Sequence, residues 1–243
     1  LFRSNIGLWV DEAYGKPDQH QGAGLFLAFI TYPFQIYGDF FGYSLVAIGS
    51  ARMLGIRLMD NFNTPYFSAS FREFWSRWHI SLSTWFRDYL YLSMGGNRVG
   101  RWRWMLNIGA VFLLSGLWHG ANWTFVGWGA GHAVGYLIES RMPKVRFPRW
   151  GSTILVFILV SILWDLFRAA DYQHAVIIFT QLFAAKMEWS SLMLGAILAA
   201  VLTLFIDWKI AKRVDDYLRN KNYLHRWAVY AVFLAGIYWF AAV

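Results

Sequence analysis

Two histidines stand among tryptophans: His79 in FREFWSRWHISLSTWFRDYLYL, residues 71–92, and His119 in SGLWHGANW, residues 115–123. Imidazole titrates near neutral pH, so a histidine placed beside a hydroxyl can take its proton as a general base. His119 lies inside an apolar stretch. There an ionisable group is expensive unless partnered, and such groups face bundle interiors and functional pathways more often than lipid. A hydrogen-bonded histidine that pins two helices together fits the same position, and spacing leaves both readings open. His79, taken alone, reads as a solvated or capping side chain beside Ser76 and Ser83; paired with His119, it reads as a group that orients a substrate or tunes the base. Donors for a developing oxyanion near His119 are sought in Asn122 and in the indole N–H groups of Trp118 and Trp123. His132, flanked by Gly131, reads as a polar packing residue, while His20, His174 and His225 fall in polar connectors. Asp39 and Asp165 read as structural acids.

Several other chemistries lose support. The chain has no cysteine, which removes a disulfide framework, a thiolate metal site and a catalytic thiol. It has no G-x-S-x-G elbow, no H-E-x-x-H, no P-loop and no glycine-rich dinucleotide turn after a strand, and no bound metal is expected. The glycines of GWGAG, residues 127–131, follow a helical apolar run and read as sites of close helix packing. The formal charge of +8 accompanies tryptophan and phenylalanine in segments flanking apolar spans, so nucleic acid is not the expected partner.

The elements that position these residues must suit a lipid solvent. Of 243 residues, 58% are hydrophobic and 15% charged, outside the usual soluble mixture. Apolar regions at 24–50, 104–138, 152–167, 190–206 and 227–243 predict a polytopic, all-α transmembrane bundle forming one domain over residues 1–243. Because a span needs roughly 17 to 25 apolar residues, 104–138 is too long for one ordinary crossing. Charge points the same way. The connector 51–103 carries eight arginines against Asp60, Glu73 and Asp88, and 139–151 carries Arg141, Lys144, Arg146 and Arg149 against Glu139. Both face the cytoplasm only if 104–138 crosses an even number of times, which predicts a broken or re-entrant helix pair with its break near Gly116, Gly120 and Asn122. One long tilted helix is the alternative. Within 71–92, Phe71, Phe74, Trp78, Leu82, Trp85 and Tyr89 recur at three- and four-residue steps opposite a stripe of Arg72, Ser76, His79, Ser83 and Arg87. This predicts one amphipathic helix lying in the membrane interface, followed by a turn at GGNR, residues 95–98. The first residue is Leu1, and the chain reads as a portion of a longer protein.

The run EFWSRWHISLSTWFRDYLY, the turn GGNR and LWHGANWTFVGWGAGHA resemble signature segments of the membrane-bound O-acyltransferase family. So do YPFQIYGDFFGYSLVAIGSARMLGI, residues 32–56, and NFNTPY, residues 61–66. The likeness covers about residues 1–145 and is greatest to the alginate O-acetyltransferase branch, with D-alanyl transfer toward teichoic acid as the alternative. It implies that His119 corresponds to the family's essential histidine and His79 to a second one upstream. It also implies a multi-pass protein of the bacterial inner membrane, surrounded by lipid. The implied reaction moves an acyl group from a cytoplasmic thioester, acetyl-CoA or an acyl-carrier, to a hydroxyl of an extracytoplasmic polysaccharide or of a partner acetyltransferase. The thioester is a co-substrate, and no bound cofactor is implied. Two departures stand out: members of the family are about twice as long, so an N-terminal part of the bundle is missing here, and Phe41 and Leu45 occupy positions where a small and an acidic residue are expected.

Overall fold

The computed structural model describes residues 2–17, 19–20, 22–141, 148–184 and 191–209, with 222–224, 227–228 and 231. The regular elements among those residues are all helices, with no strand: α1 Phe2–Gly15, α2 Ala23–Met53, α3 Phe71–Arg77, α4 Ile80–Trp85, α5 Arg101–His119, α6 Trp123–Glu139, α7 Arg149–Arg168, α8 Tyr172–Gln181 and α9 Ser191–Lys209. A 3₁₀ turn at Pro65–Phe67 precedes α3, and a π-helical turn at Phe86–Tyr91 continues α4. The apolar region 227–243 and the basic connector 207–226 lie almost wholly outside the described residues, as does His225. Among the described residues one helix, α7, is long and apolar enough to cross a membrane.

The chain forms two compact units: Leu1–Asp39 with Gln181–Val243, and Phe40–Thr180. In the first, α1 packs on α9 around buried Ile6, Trp9, Val10 and Ala13. A buried Tyr37 hydroxyl there donates to Asp207 Oδ1 at 2.8 Å, which gives that acid the partner its burial requires.

The second unit holds every candidate site residue. Its centre is the α5–α6 pair, the break expected inside 104–138. The chain leaves α5 at His119, passes Gly120–Asn122 and re-enters helix at Trp123, where Asn122 caps α6 by accepting from the Thr124 amide at 3.3 Å. The two backbones touch: a Cβ on Gly116 would collide with the Phe125 carbonyl, and one on Gly129 with that of Phe112. The packing read from GWGAG is thus realised. The core beside it joins Ile108, Phe112 and Ala133 with Trp75, Trp104 and Tyr136. Buried Asn107 donates to the carbonyls of Met94 and Gly96 at 3.1 and 3.2 Å, which fastens the GGNR turn to α5; Gly95 and Gly96 supply its positive φ angles of 94° and 56°.

Residues 71–92 do not form the single helix that their periodicity predicts. α3 ends at Trp78, which is extended, and His79 turns left-handed (φ 43°, ψ 55°) before α4 begins. The reason is tertiary. In an unbroken helix the Ile80 amide would donate to Ser76; here it donates to the Asn61 carbonyl at 3.0 Å, and the Asn63 amide donates to the Arg77 carbonyl at 3.0 Å. Asn61 Oδ1 accepts from the Ser81 amide and hydroxyl at 3.2 and 2.6 Å, while its Nδ2 donates to Ser44 Oγ of α2 at 3.2 Å. The loop at 61–63 therefore takes over hydrogen bonds that a helix would have made for itself. The predicted apolar stripe divides at this bend: Phe71, Phe74 and Trp78 are buried, whereas Trp85 and Tyr89 are exposed.

Candidate functional site

His79 and His119 come to one place by different means. His119 is the last residue of α5, and the half-turn after it is held open by Gly120, where any side chain would strike the Phe125 ring. His79 is delivered by the bend between α3 and α4. A non-glycine residue in that conformation costs on the order of 1–3 kcal/mol, and such strain concentrates at functional sites. The Trp118 ring is near both imidazoles, 6.4 Å from His79 and 4.9 Å from His119. His79 also meets Phe40 edge-on at 4.6 Å, and His119 is walled by Trp128 at 5.3 Å and Phe167 at 5.1 Å. Burial pushes the His79 imidazole down to about 4, and a positive charge on His119 would push it further the same way. At neutral pH His79 is therefore uncharged.

α3 is anchored at both ends. Ser70 Oγ accepts from the Glu73 amide at 2.9 Å and Glu73 Oε2 accepts from the Ala69 amide at 2.7 Å, a variant of the capping box that Ser70-x-x-Glu73 announces in the sequence. Glu73 Oε1 also meets Arg77 and Arg149, each at 2.7 Å, which ties α3 to the start of α7. Burial alone would raise the Glu73 carboxyl; the Ala69 amide and the two guanidiniums outweigh it and hold it below its ordinary value. The Phe71 amide donates to the Glu139 carboxylate at the end of α6.

The oxyanion donors sought in the sequence are placed differently from one another. The Asn122 side chain caps α6 with its oxygen and donates to the Ala170 carbonyl at 2.8 Å with its amide, so both ends are engaged. Trp123 is 74% exposed, and its carbonyl accepts from the Tyr172 hydroxyl at 2.6 Å. Trp118, 61% exposed, is the member that touches both histidines. Asn61, Phe40, Trp128 and Phe167 shape the site without having been singled out in the sequence. For Asn61 the signal was the polar NFNT run before an amphipathic stretch; Trp128 was hidden inside a run read as packing. No group of three or more His, Asp or Glu among the described residues is placed to hold a metal ion.

The same unit holds an apolar cavity of about 260 Å³ whose walls include Trp75, Leu82, Ser83, Val111, Phe112 and Ser115, with Arg87 also on its lining. Ser83 is four residues after His79 and Ser115 four before His119. One helical turn thus separates each histidine from a residue lining the cavity.

Residues 11–164 match the MBOAT, membrane-bound O-acyltransferase family. The chain is 42% identical over 211 residues to "Probable alginate O-acetylase AlgI" of Azotobacter vinelandii, covering 81% of this chain and 42% of that protein. It is 49% identical to the protein of the same name from Pseudomonas aeruginosa over 155 residues, 61% of this chain and 29% of the relative. To the peptidoglycan O-acetyltransferase of Helicobacter pylori it is 34% identical over 72% of this chain and 34% of that protein. The chain therefore spans less than half the length of the curated relatives it matches. The matched region takes in α3 to α6 and both histidines, and on this match the chain belongs to the membrane-bound O-acyltransferase family.

Proposed function

We propose that this chain is the acyl-transfer portion of a multi-pass protein of the bacterial inner membrane. It moves an acetyl group from a cytoplasmic thioester to a hydroxyl outside, on an exopolysaccharide of the alginate kind or on a partner transferase. The observation that carries this reading is the meeting of His79 and His119 around Trp118 in an aromatic enclosure. His119 takes the proton of the acceptor hydroxyl as its oxygen attacks the thioester carbonyl. The C–S bond then breaks, and the imidazolium returns the proton to the departing thiolate. A positioned general base contributes roughly 10² to 10⁴-fold. His79, neutral and held by the bend, orients the donor or the acceptor. Trp118 covers the pair, and the aromatic walls keep out water that would hydrolyse the thioester. The apolar cavity one turn away is the place for the donor's arm, with Arg87 available to an anionic group on it. No bound metal or cofactor takes part in this scheme, and the helices other than α7 that the sequence reads as spans complete the bundle.

The test is His119→Ala in the full-length protein at normal membrane levels, with transfer of label from acetyl-CoA to polysaccharide as the readout. A fall of two orders of magnitude or more is expected, and near-normal transfer would remove His119 as the base and leave a scaffold or transporter. Running the same assay with a D-alanyl carrier thioester separates the acetyl reading from the D-alanyl one, the activity in the name of a Bacillus subtilis relative that is 37% identical over 46% of this chain.

A further inference from the structure

His132 is a buried imidazole that the proposed chemistry leaves unused. It is 0% exposed on α6, and its Nδ1 accepts from the indole Nε1 of Trp75 on α3 at 3.2 Å, so Nδ1 carries no proton and the neutral ring bears it on Nε2. Phe74 and Phe112 stack on it at 6.2 Å each, and Trp75 and Trp128 meet its edge at 4.9 Å each. These contacts lead two ways. Trp75 and Phe112 are walls of the apolar cavity, and Trp128 is a wall of the His119 enclosure. One side chain thus touches both compartments.

Packing alone does not account for a histidine here. Its Nε2, like the Nε1 atoms of Trp128 and Trp164, has no hydrogen-bond partner among the described residues, and each such buried group costs about 1–3 kcal/mol. A leucine would fill the space without that cost. What a leucine lacks is an acceptor for Trp75, whose indole would otherwise be left to find another rotamer next to the open cavity. We propose that His132 is a positioning residue for the acyl donor: its Nδ1 fixes the Trp75 indole as the cavity wall one turn from His79 and His119. This rests on reading the cavity as the donor's place.

The test uses the full-length protein in membrane vesicles with labelled acetyl-CoA as donor. His132→Leu, which removes the acceptor, should raise the donor KM about tenfold while kcat stays within about threefold. His132→Asn, whose Oδ1 can stand near the Nδ1 position, should return KM to within about twofold of the parent. Adding Trp75→Phe to His132→Leu removes the stranded donor as well, so the double variant should bind donor better than His132→Leu alone. The proposal is overturned if Asn restores nothing, if the two changes simply add, or if His132→Leu lowers only membrane level or kcat. Val111→Trp fills the cavity without touching the Trp75–His132 bond: an unchanged KM there, beside a raised KM in His132→Leu, would refute action through the cavity. His119→Ala, run alongside, reports on the general base separately from either result.

Discussion

The bend that delivers His79 hangs on Asn61, and replacing that residue by alanine measures how much the site depends on it. The side chain makes three hydrogen bonds: two accepted from Ser81, at 3.2 and 2.6 Å, and one donated to Ser44 at 3.2 Å. At about 1 kcal/mol net for each, Asn61→Ala removes on the order of 2–3 kcal/mol from the bent arrangement. This is the same size as the roughly 1–3 kcal/mol that a left-handed His79 costs. The balance between the bend and a straightened α3–α4 helix should therefore shift roughly 30- to 160-fold toward the straight form. Straightening would carry the His79 ring away from Phe40 and Trp118. The assay is twofold: acetyl transfer by the full-length protein, expected to fall at least tenfold, and amide hydrogen exchange at Asn63, whose acceptor, the Arg77 carbonyl, is taken by the helix when it straightens, expected to quicken. Asn61→Asp keeps both acceptor bonds and should lose much less. Transfer within about twofold of the parent, with unchanged exchange at that amide, would refute the dependence of the site on this loop.

Two further outcomes follow from the same geometry. Because the folded His79 titrates near 4 and an unfolded histidine near 6.5, the unfolded state binds the extra proton between those values. Stability is then fully present above about pH 6.5 and is lost as pH falls toward 4. Once solvent screening of its exposed edge is allowed for, the loss at pH 5 is about 1 kcal/mol, and thermal unfolding in detergent at pH 5 and 7 should show it in the parent but not in His79→Asn. Gly129→Ala places a methyl group against the Phe112 carbonyl, so it should destabilise the α5–α6 pair by about 1–3 kcal/mol and lower thermal stability at every pH; an unchanged melting temperature would contradict the close approach.

How much of this was legible in the sequence depends on how far the cause lies from its effect. The helix break at Gly120–Asn122 was readable because the length of one apolar run and the charges flanking it conflict with a single crossing. The glycines of GWGAG were readable because small residues in an apolar run allow few other roles. The bend at His79 was not: within 71–92 every local rule favours a continuous helix, and the decisive hydrogen bonds come from Asn61, outside any window in which periodicity is counted. The bond from Trp75 to His132 joins residues 57 apart and has no local signature at all. Ser70-x-x-Glu73 shows the opposite case, a local signal that starts α3 and was overshadowed by the aromatic stripe running through it. The resemblance names positions 79 and 119 together, but that both stand near Trp118 became visible only with the fold, since neither spacing nor charge relates them.

The unequal footing of the two histidines has a mechanical consequence. His119 stands at the tip of two helices whose backbones are in contact at Gly116 and Gly129, a fork with little room to flex. His79 stands on a joint made of a left-handed residue and borrowed hydrogen bonds. If the proposed transfer takes place between them, the substrate meets one wall set by the α5–α6 contact and one whose position depends on the Asn61 loop, so a change in that loop moves His79 and leaves His119 in place.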